Sequence, residues 1–470
     1  MLRIRRFTRF LALLLVVFWV FAVIFFFNSS NVDLSDSGPN LNDEFSEMYR
    51  SVKFEFENDS RKIPDISEWD FPDKYGNGTL IGQEIYTHLN NLNDNYQTMN
   101  VDDFGEVQNV ETVIVIQVHN RPAYLMLLIE SLKSTIGIEK SLLVFSHDIN
   151  VPIINEMIRN ITFARVHQIY YPFTTQLFST MYPGQSQKDC AEKIGKENAE
   201  SIKCENWKYP DKYGNYRVAK LTQIKHHWWW KMNYVFDGII ERFSLQNSWV
   251  LLLEEDHFVA PDALHVLNHI TKNKSRLCAK CDLISLGFYL KSTKNYGNTA
   301  KQLGIHPWYS SKHNMGMALQ SSTWKTIKNC SDLFCKFDDY NWDWSLMKVM
   351  ITCLHKRLVI FTKSPRVLHI GDCGVHTHRC SAHNAYDKAV KLLDTYKDQL
   401  FPEYMSVTDV SARTLKPPKE NGGWGDSRDH QLCSLNTQPM MPHYDSPVLK
   451  NMMESVISIQ QRKTTKHNDI

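Results

Sequence analysis

The chain has almost no excess of charge: 53 lysines and arginines against 51 aspartates and glutamates leave +2. So small an imbalance gives no electrostatic footprint for a nucleic-acid partner. No acid occurs in the first nine residues, which carry Arg3, Arg5, Arg6 and Arg9, and no polar side chain occurs from Phe10 to Phe27. Beyond Phe27 no run approaches membrane-spanning length, which argues against a second span. There is no internal repeat, so a solenoid or propeller array is excluded. No cysteine precedes Cys190, and Cys278-Ala-Lys-Cys281 has no second Cys-x-x-Cys to complete a four-cysteine zinc site.

What is present begins with that apolar run. Its eighteen residues would rise about 27 Å as a helix, close to the roughly 30 Å hydrocarbon thickness of a bilayer. It ends in Ile24-Phe25-Phe26-Phe27, too bulky for a signal-peptidase site. The sequence therefore predicts a cytoplasmic tail at 1–9 and a signal anchor at 10–27, with the rest of the chain in a lumen or outside the cell. Ten cysteines in such a compartment read as disulfides, with Cys278 and Cys281 forming a tight local bridge rather than half a zinc site. Asn58, Asn77, Asn160, Asn273 and Asn329 each begin an N-glycosylation sequon. Residues 28–105, rich in Asn, Asp, Ser and Glu, read as a stem with a short helix near 81–92. A catalytic or binding domain is expected over 106–445 and a disordered tail over 446–470.

Within that domain, short β-branched runs alternate with amphipathic stretches. Val113 to Val118 reads as a strand buried on both faces, and Leu125, Leu128, Ile129 and Leu132 repeat at helical spacing after Pro122. Leu142 to Phe145 and then Ile153, Ile154 and Ile158 repeat the alternation. The pattern predicts an α/β fold with a doubly wound, mostly parallel sheet.

Four polar groups follow strand candidates directly: Gln117-Val118-His119-Asn120-Arg121, Ser146-His147-Asp148, Glu254-Glu255-Asp256-His257, and His369 after Val367-Leu368. If the strands run parallel, all four meet at one sheet edge, where open α/β sheets bind ligands. Consecutive carboxylates are costly to bury without a cation, and hard oxygens with an imidazole suit Mn²⁺ or Mg²⁺. Each group also has a plainer reading: a solvated turn at Glu254–His257, helix caps at His119, His147 and Asp148, a core histidine at His369. In Gln223-Ile224-Lys225-His226-His227-Trp228-Trp229-Trp230-Lys231, Lys225, His226 and His227 suit phosphate oxygens, while the tryptophans read as a helix-packing anchor. Asp338-Asp339-Tyr340-Asn341-Trp342-Asp343-Trp344 sets carboxylates among aromatics, a setting for a general base.

Together these segments resemble the N-acetylglucosaminyltransferase II family, from about Val113 to Cys433. The landmarks are QVHNRP, FSHD, KHHWWWK, LEEDH, HNMG, DDYNWDW, HIGDCG and NGGWGD. The resemblance implies a GT-A glycosyltransferase fold in the Golgi lumen, UDP-N-acetylglucosamine as donor, the mannose of an N-glycan as acceptor, and Mn²⁺ as cofactor. It implies Asp256 and His369 as metal ligands, with Glu254 and Glu255 in supporting roles, and Asp343 as the general base. Gln117, Val118, His119, Asn120, Arg121, Asp148, Gln223, Ile224, Lys225, His226 and His227 would hold the donor; Asn314 and Trp342 would contact the acceptor. The family pattern pairs Cys190 with Cys204, Cys278 with Cys281, Cys330 with Cys353, Cys335 with Cys433 and Cys373 with Cys380. Thr293 stands where the family often has Arg. A transferase acting on the α-1,3 arm or on O-mannose, or a lectin-like protein on the same fold, remains open at this point.

Overall fold

The computed structural model describes residues 79–355, 357–371, 382–411, 413–441 and 446–458. The expected tail at 1–9, the anchor at 10–27 and the Cys373–Cys380 pair lie outside them. Among the described residues no helix is long and apolar enough to cross a membrane.

The strands are β1 (Thr79–Ile81), β2 (Thr112–Val118), β3 (Ser141–His147), β4 (Arg165–Tyr170), β5 (Trp249–Glu254), β6 (His257–Val259), β7 (Cys281–Ser285), β8 (Gln302–Pro307), β9 (Met317–Leu319), β10 (Leu358–Thr362), β11 (Val367–His369), β12 (Ser406–Val410) and β13 (Val456–Ser458). Nine of them form one sheet in the order β12-β8-β10-β7-β9-β5-β2-β3-β4. The half made of β5, β2, β3 and β4 is entirely parallel. The other half is mixed: β9 runs antiparallel to both β5 and β7, and β8 antiparallel to β10.

The helices that matter below are α1 (Gly82–Asn95), α2 (Pro122–Lys133), α3 (Pro152–Arg159), α4 (Ala219–Tyr234), α5 (Ala263–Lys272), α6 (Trp342–Thr352), α7 (Ser427–Asn436) and α8 (Pro447–Met453). Strand pleating sends alternate residues to opposite faces, so each inner strand feeds two cores. Val113, Val115, Leu142, Val144, Val250 and Leu252 join one core, which α1, α4, α6, α7 and α8 cover. Ile114, Ile116, Leu143, Phe145, Leu251 and Leu253 join the other, which α2, α3 and α5 cover. That is why these strands are apolar throughout. A residue buried on either face is stabilised by about 1.5–3 kcal/mol when its side chain is Val, Leu, Ile or Phe.

Two expected boundaries are moved by the structure. The last part of the expected stem at 28–105 is folded: Ile85 and Leu89 of α1 are fully buried. Asn93 of the same helix pairs with the outer edge of β4, its amide nitrogen donating to Tyr170 O and its oxygen accepting from Tyr170 N, each at 2.8 Å. The expected disordered tail at 446–470 begins with α8, whose Leu449 and Met452 enter the same core, and β13 pairs antiparallel with β1. Gly82 sits where a Cβ would meet the carbonyl oxygen of Met452 at 1.8 Å, so α1 and α8 pack too closely there for any other residue. Disulfides join Cys190 to Cys204, Cys278 to Cys281, Cys330 to Cys353 and Cys335 to Cys433.

Candidate active site

Register places the polar groups. Gln117 of β2 lies between Ser146 of β3 and Glu254 of β5, so the carboxyl ends of three adjacent parallel strands are level. His369 does not arrive on a fourth parallel strand, as the sequence suggested. It ends β11, which pairs antiparallel with β6 in a separate two-stranded ribbon that sets His369 opposite His257. The ribbon turns the chain back over the acidic cluster, and His369 Nε2 comes to 3.2 Å from Asp256 Oδ2.

Arg121 opens the turn into α2 and bridges two carboxylates. Its Nε donates to Glu255 Oε1 at 2.6 Å and its Nη1 to Asp256 Oδ2 at 2.8 Å. Glu255 also accepts from the backbone N–H of His119 through Oε2, so it fixes the loop after β2. Burial opposes ionisation of Asp256, but the Arg121 guanidinium and His369 outweigh it and hold the carboxyl far below its usual range. His369 moves the opposite way: burial is outweighed by the hydrogen bond to Asp256 and by its charge, and the imidazole pKa rises. Burial and the neighbouring Asp256 push Glu254 up, and burial pushes the nearby Lys231 down.

Among the described residues, Glu254, Asp256 and His257 bring ligand atoms within 4.8 Å of one another. Asp256 Oδ1 is buried without a hydrogen-bond partner. Gly371 passes so close that a Cβ there would meet Asp256 Oδ2 at 2.0 Å. A free carboxylate oxygen, a second carboxylate and imidazoles, walled by backbone, fit a divalent cation with hard-ligand preference.

Helix α4 explains the second group of candidates and divides it. Gln223, His227 and Lys231 are spaced at i, i+4 and i+8 and share one face. Gln223 Nε2 donates to Asp148 Oδ2 at 2.9 Å, His227 Nε2 meets Ser146 Oγ at 2.8 Å, and Lys231 Nζ donates to Gln117 Oε1 at 2.7 Å. One stripe of α4 is thus laid along the strand ends. Asp148 accepts in addition from His119 Nδ1 at 2.8 Å, and despite burial that neighbour helps lower its pKa to about 2.

Lys225 and His226 face elsewhere. Lys225 Nζ donates to Phe337 O and Asp339 O and stands 4.1 Å from the Trp424 ring centroid, where burial lowers its pKa to about 7. His226 Nε2 meets Asp429 Oδ1 at 2.9 Å, on a carboxylate that also takes Arg217 Nε at 2.7 Å. Both side chains join α4 to its neighbours rather than to the strand ends. Ile224 packs against the aromatic core, Val118 is buried in the opposite core, and Asn120 is half-buried in the turn after β2.

The three tryptophans are buried in one core that surrounds them on different sides. Trp228 stacks on Trp342 at 4.4 Å, Trp229 on Phe334 at 4.2 Å, and Trp230 on Tyr234 at 4.9 Å. Trp342 is therefore a packing residue at the start of α6, and its contact with α4 sets where the next residue, Asp343, stands. Asp343 Oδ2 accepts from Ser310 Oγ at 2.6 Å and from Asn314 Nδ2 at 3.2 Å, while Oδ1 accepts from Trp344 N at 2.8 Å. Asn314 Oδ1 is buried without a partner beside it.

The charges of the acidic cluster and of Asp343 both act on Tyr289. The ring lies 5.2 Å from that of His369, and the charges of Glu254, Asp256 and Asp343, after burial, push its hydroxyl up to about 12. More than half of Tyr289 is exposed. Lys231, Ser310 and Tyr289 were not singled out from the sequence. The spacing from Gln223 and His227 signals Lys231; a lone serine and a lone tyrosine carry no such pattern. Thr293 is exposed, and its carbonyl accepts from Tyr396 Oη at 3.2 Å.

A family model described as N-acetylglucosaminyltransferase II (MGAT2) matches residues 86–433. The chain is 40% identical over 348 residues to the Homo sapiens alpha-1,6-mannosyl-glycoprotein 2-beta-N-acetylglucosaminyltransferase, covering 73% of this chain and 77% of that protein. It is 32% identical over 367 residues to the Arabidopsis thaliana protein of the same name, covering 75% and 80%. Among solved structures, S. aureus TarS aligns at 9% identity over 62% of this chain and 71% of its own, with a TM-score of 0.29, too low to bear on the fold.

Proposed function

The chain belongs to the N-acetylglucosaminyltransferase II family, and on that premise we propose that its site transfers N-acetylglucosamine from UDP-GlcNAc to O2 of the α-1,6-arm mannose of N-glycans, with inversion. The observation that carries this reading is a pair of acidic centres: Asp256, which meets His369 and keeps a buried carboxylate oxygen free, and Asp343, held by Ser310 and Asn314. An inverting transfer needs those two centres: one to neutralise a diphosphate, the other to take a proton from the attacking hydroxyl.

Asp256 and His369 would hold Mn²⁺, with Glu254 and His257 beside them; the bound ion supplies charge neutralisation of the UDP leaving group. Glu255 and Arg121 fix the loop that faces the donor, and Asp148, Gln223 and His227 form the connected polar row that would orient the uridine and phosphates. Asp343 takes the proton from the mannose 2-hydroxyl. Asn314, whose amide nitrogen donates to Asp343, would stand beside the acceptor mannose. Attack from the face opposite UDP gives the β-linked product directly, so no covalent enzyme intermediate is required. The mixed sheet, with its parallel half ending at the acidic cluster, is consistent with a GT-A fold.

The chain is further proposed to be a type II Golgi membrane protein, with its span at 10–27 and the folded domain in the lumen. The four disulfides support an oxidising compartment. The test is transfer from UDP-GlcNAc to the hybrid N-glycan that carries GlcNAc on its α-1,3 arm, with and without EDTA. Product β-1,2-linked to the α-1,6-arm mannose and lost on chelation is expected. Transfer to the α-1,3 arm or to O-mannose instead would overturn the acceptor assignment.

A further inference from the structure

We propose that Ser310 is a positioning residue that aims the Asp343 carboxylate and determines which of its two oxygens receives the proton. The inference rests on Asp343 being the base, and goes on to how that base is built.

Ser310 is buried at 2% exposure and opens the short helical turn Ser310–His313. Two bonds lock the turn: His313 Nδ1 accepts from Tyr309 N at 3.0 Å, and His313 O accepts from Trp308 Nε1 at 3.2 Å. Trp308 itself is fully buried. The turn thus presents Ser310 Oγ and Asn314 Nδ2 to the same atom, Asp343 Oδ2. A carboxylate oxygen accepts about two hydrogen bonds in its plane, so these two donors fill Oδ2. Oδ1 takes one bond, from Trp344 N, and keeps a lone pair. Oδ1 is therefore the atom to which the acceptor hydroxyl delivers its proton. In that step the acceptor O–H bond breaks and its proton goes to Oδ1. The oxygen's electron pair forms the new bond to the anomeric carbon, and the bond from that carbon to UDP breaks with its pair leaving on the β-phosphate.

Removing the Ser310 hydroxyl leaves Oδ2 with the longer Asn314 bond alone and lets the carboxylate rotate. Ser310→Ala is expected to lower kcat by about ten- to a hundredfold, less than the whole of a general base's contribution. UDP affinity and the melting midpoint, measured on the same preparation, should stay at wild-type values, and Ser310→Thr should recover most of kcat. Wild-type kcat in Ser310→Ala would overturn the proposal. So would a loss confined to stability or to UDP binding, as expected of a purely structural serine. Turnover in Asp343→Asn would instead overturn the base assignment beneath it, so the two failures are told apart.

Discussion

Asp256, in the turn before β6, and His369, at the end of β11, sit 3.2 Å apart, and the same Asp256 oxygen also accepts from Arg121. One carboxylate is thus shared between a cationic side chain and an imidazole, while its other oxygen stays buried and unbonded. The pair joins a turn in the middle of the chain to a strand that follows β7, β8, β9 and β10 in sequence.

Removing either member should weaken metal binding directly. Asp256→Asn and His369→Ala are each expected to raise the Mn²⁺ dissociation constant, read by electron paramagnetic resonance in the presence of UDP, by at least about tenfold, since loss of mere supporting contacts already costs that much. An unchanged constant in both variants would contradict their role as ligands.

The two faces of α4 should separate in mutagenesis. Gln223→Ala, which frees Asp148, is expected to raise the UDP dissociation constant by several-fold with a small change in stability. Lys225→Met acts on the other face: it removes a buried cation bonded to Phe337 O and Asp339 O and should shift stability by roughly 1–3 kcal/mol with UDP affinity retained. Calorimetric titration with UDP beside thermal melting distinguishes them. Equal loss of UDP affinity in both would mean that Lys225 does reach the donor.

Stability should fall on acidification. Burial pushes His147, His167, His227 and His313 down to about 3, well below the ordinary value near 6.5 of an unfolded histidine. A depressed folded pKa means that the unfolded chain binds the extra proton first, so the stabilising contribution is whole above about 6.5 and is lost as pH falls toward 3. Each such histidine costs up to about 1.4 kcal/mol per pH unit in that window. The melting midpoint should drop between pH 7 and pH 5, and His167→Gln, remote from the acidic cluster, should flatten the slope. A midpoint independent of pH across that range would rule the mechanism out.

Much of this arrangement was legible in the sequence, for identifiable reasons. β2, β3 and β5 are buried on both faces, so they read as unbroken apolar runs, and the polar groups at their ends were visible by contrast. The β6–β11 ribbon was not, because strands of three residues leave no period; its direction follows from long-range pairing with Phe258 and His257. The helix expected near 81–92 is α1, but its burial against β4 and α8, whose seven residues are too short to show a period, was not legible. Lys225 and Lys231 look alike in a run of histidines and tryptophans, since every residue from Lys225 to Tyr234 is buried and no polar face marks the period. Ser310 acts through a contact with Asp343 that local sequence does not encode.

The base assignment rests most directly on one variant. Asp343→Asn, assayed for transfer to the hybrid glycan and for UDP binding on the same preparation, should bind UDP with wild-type affinity and lose transfer by about a hundredfold or more. Turnover within a few-fold of wild type, with UDP binding intact, would contradict Asp343 as the group that takes the acceptor's proton.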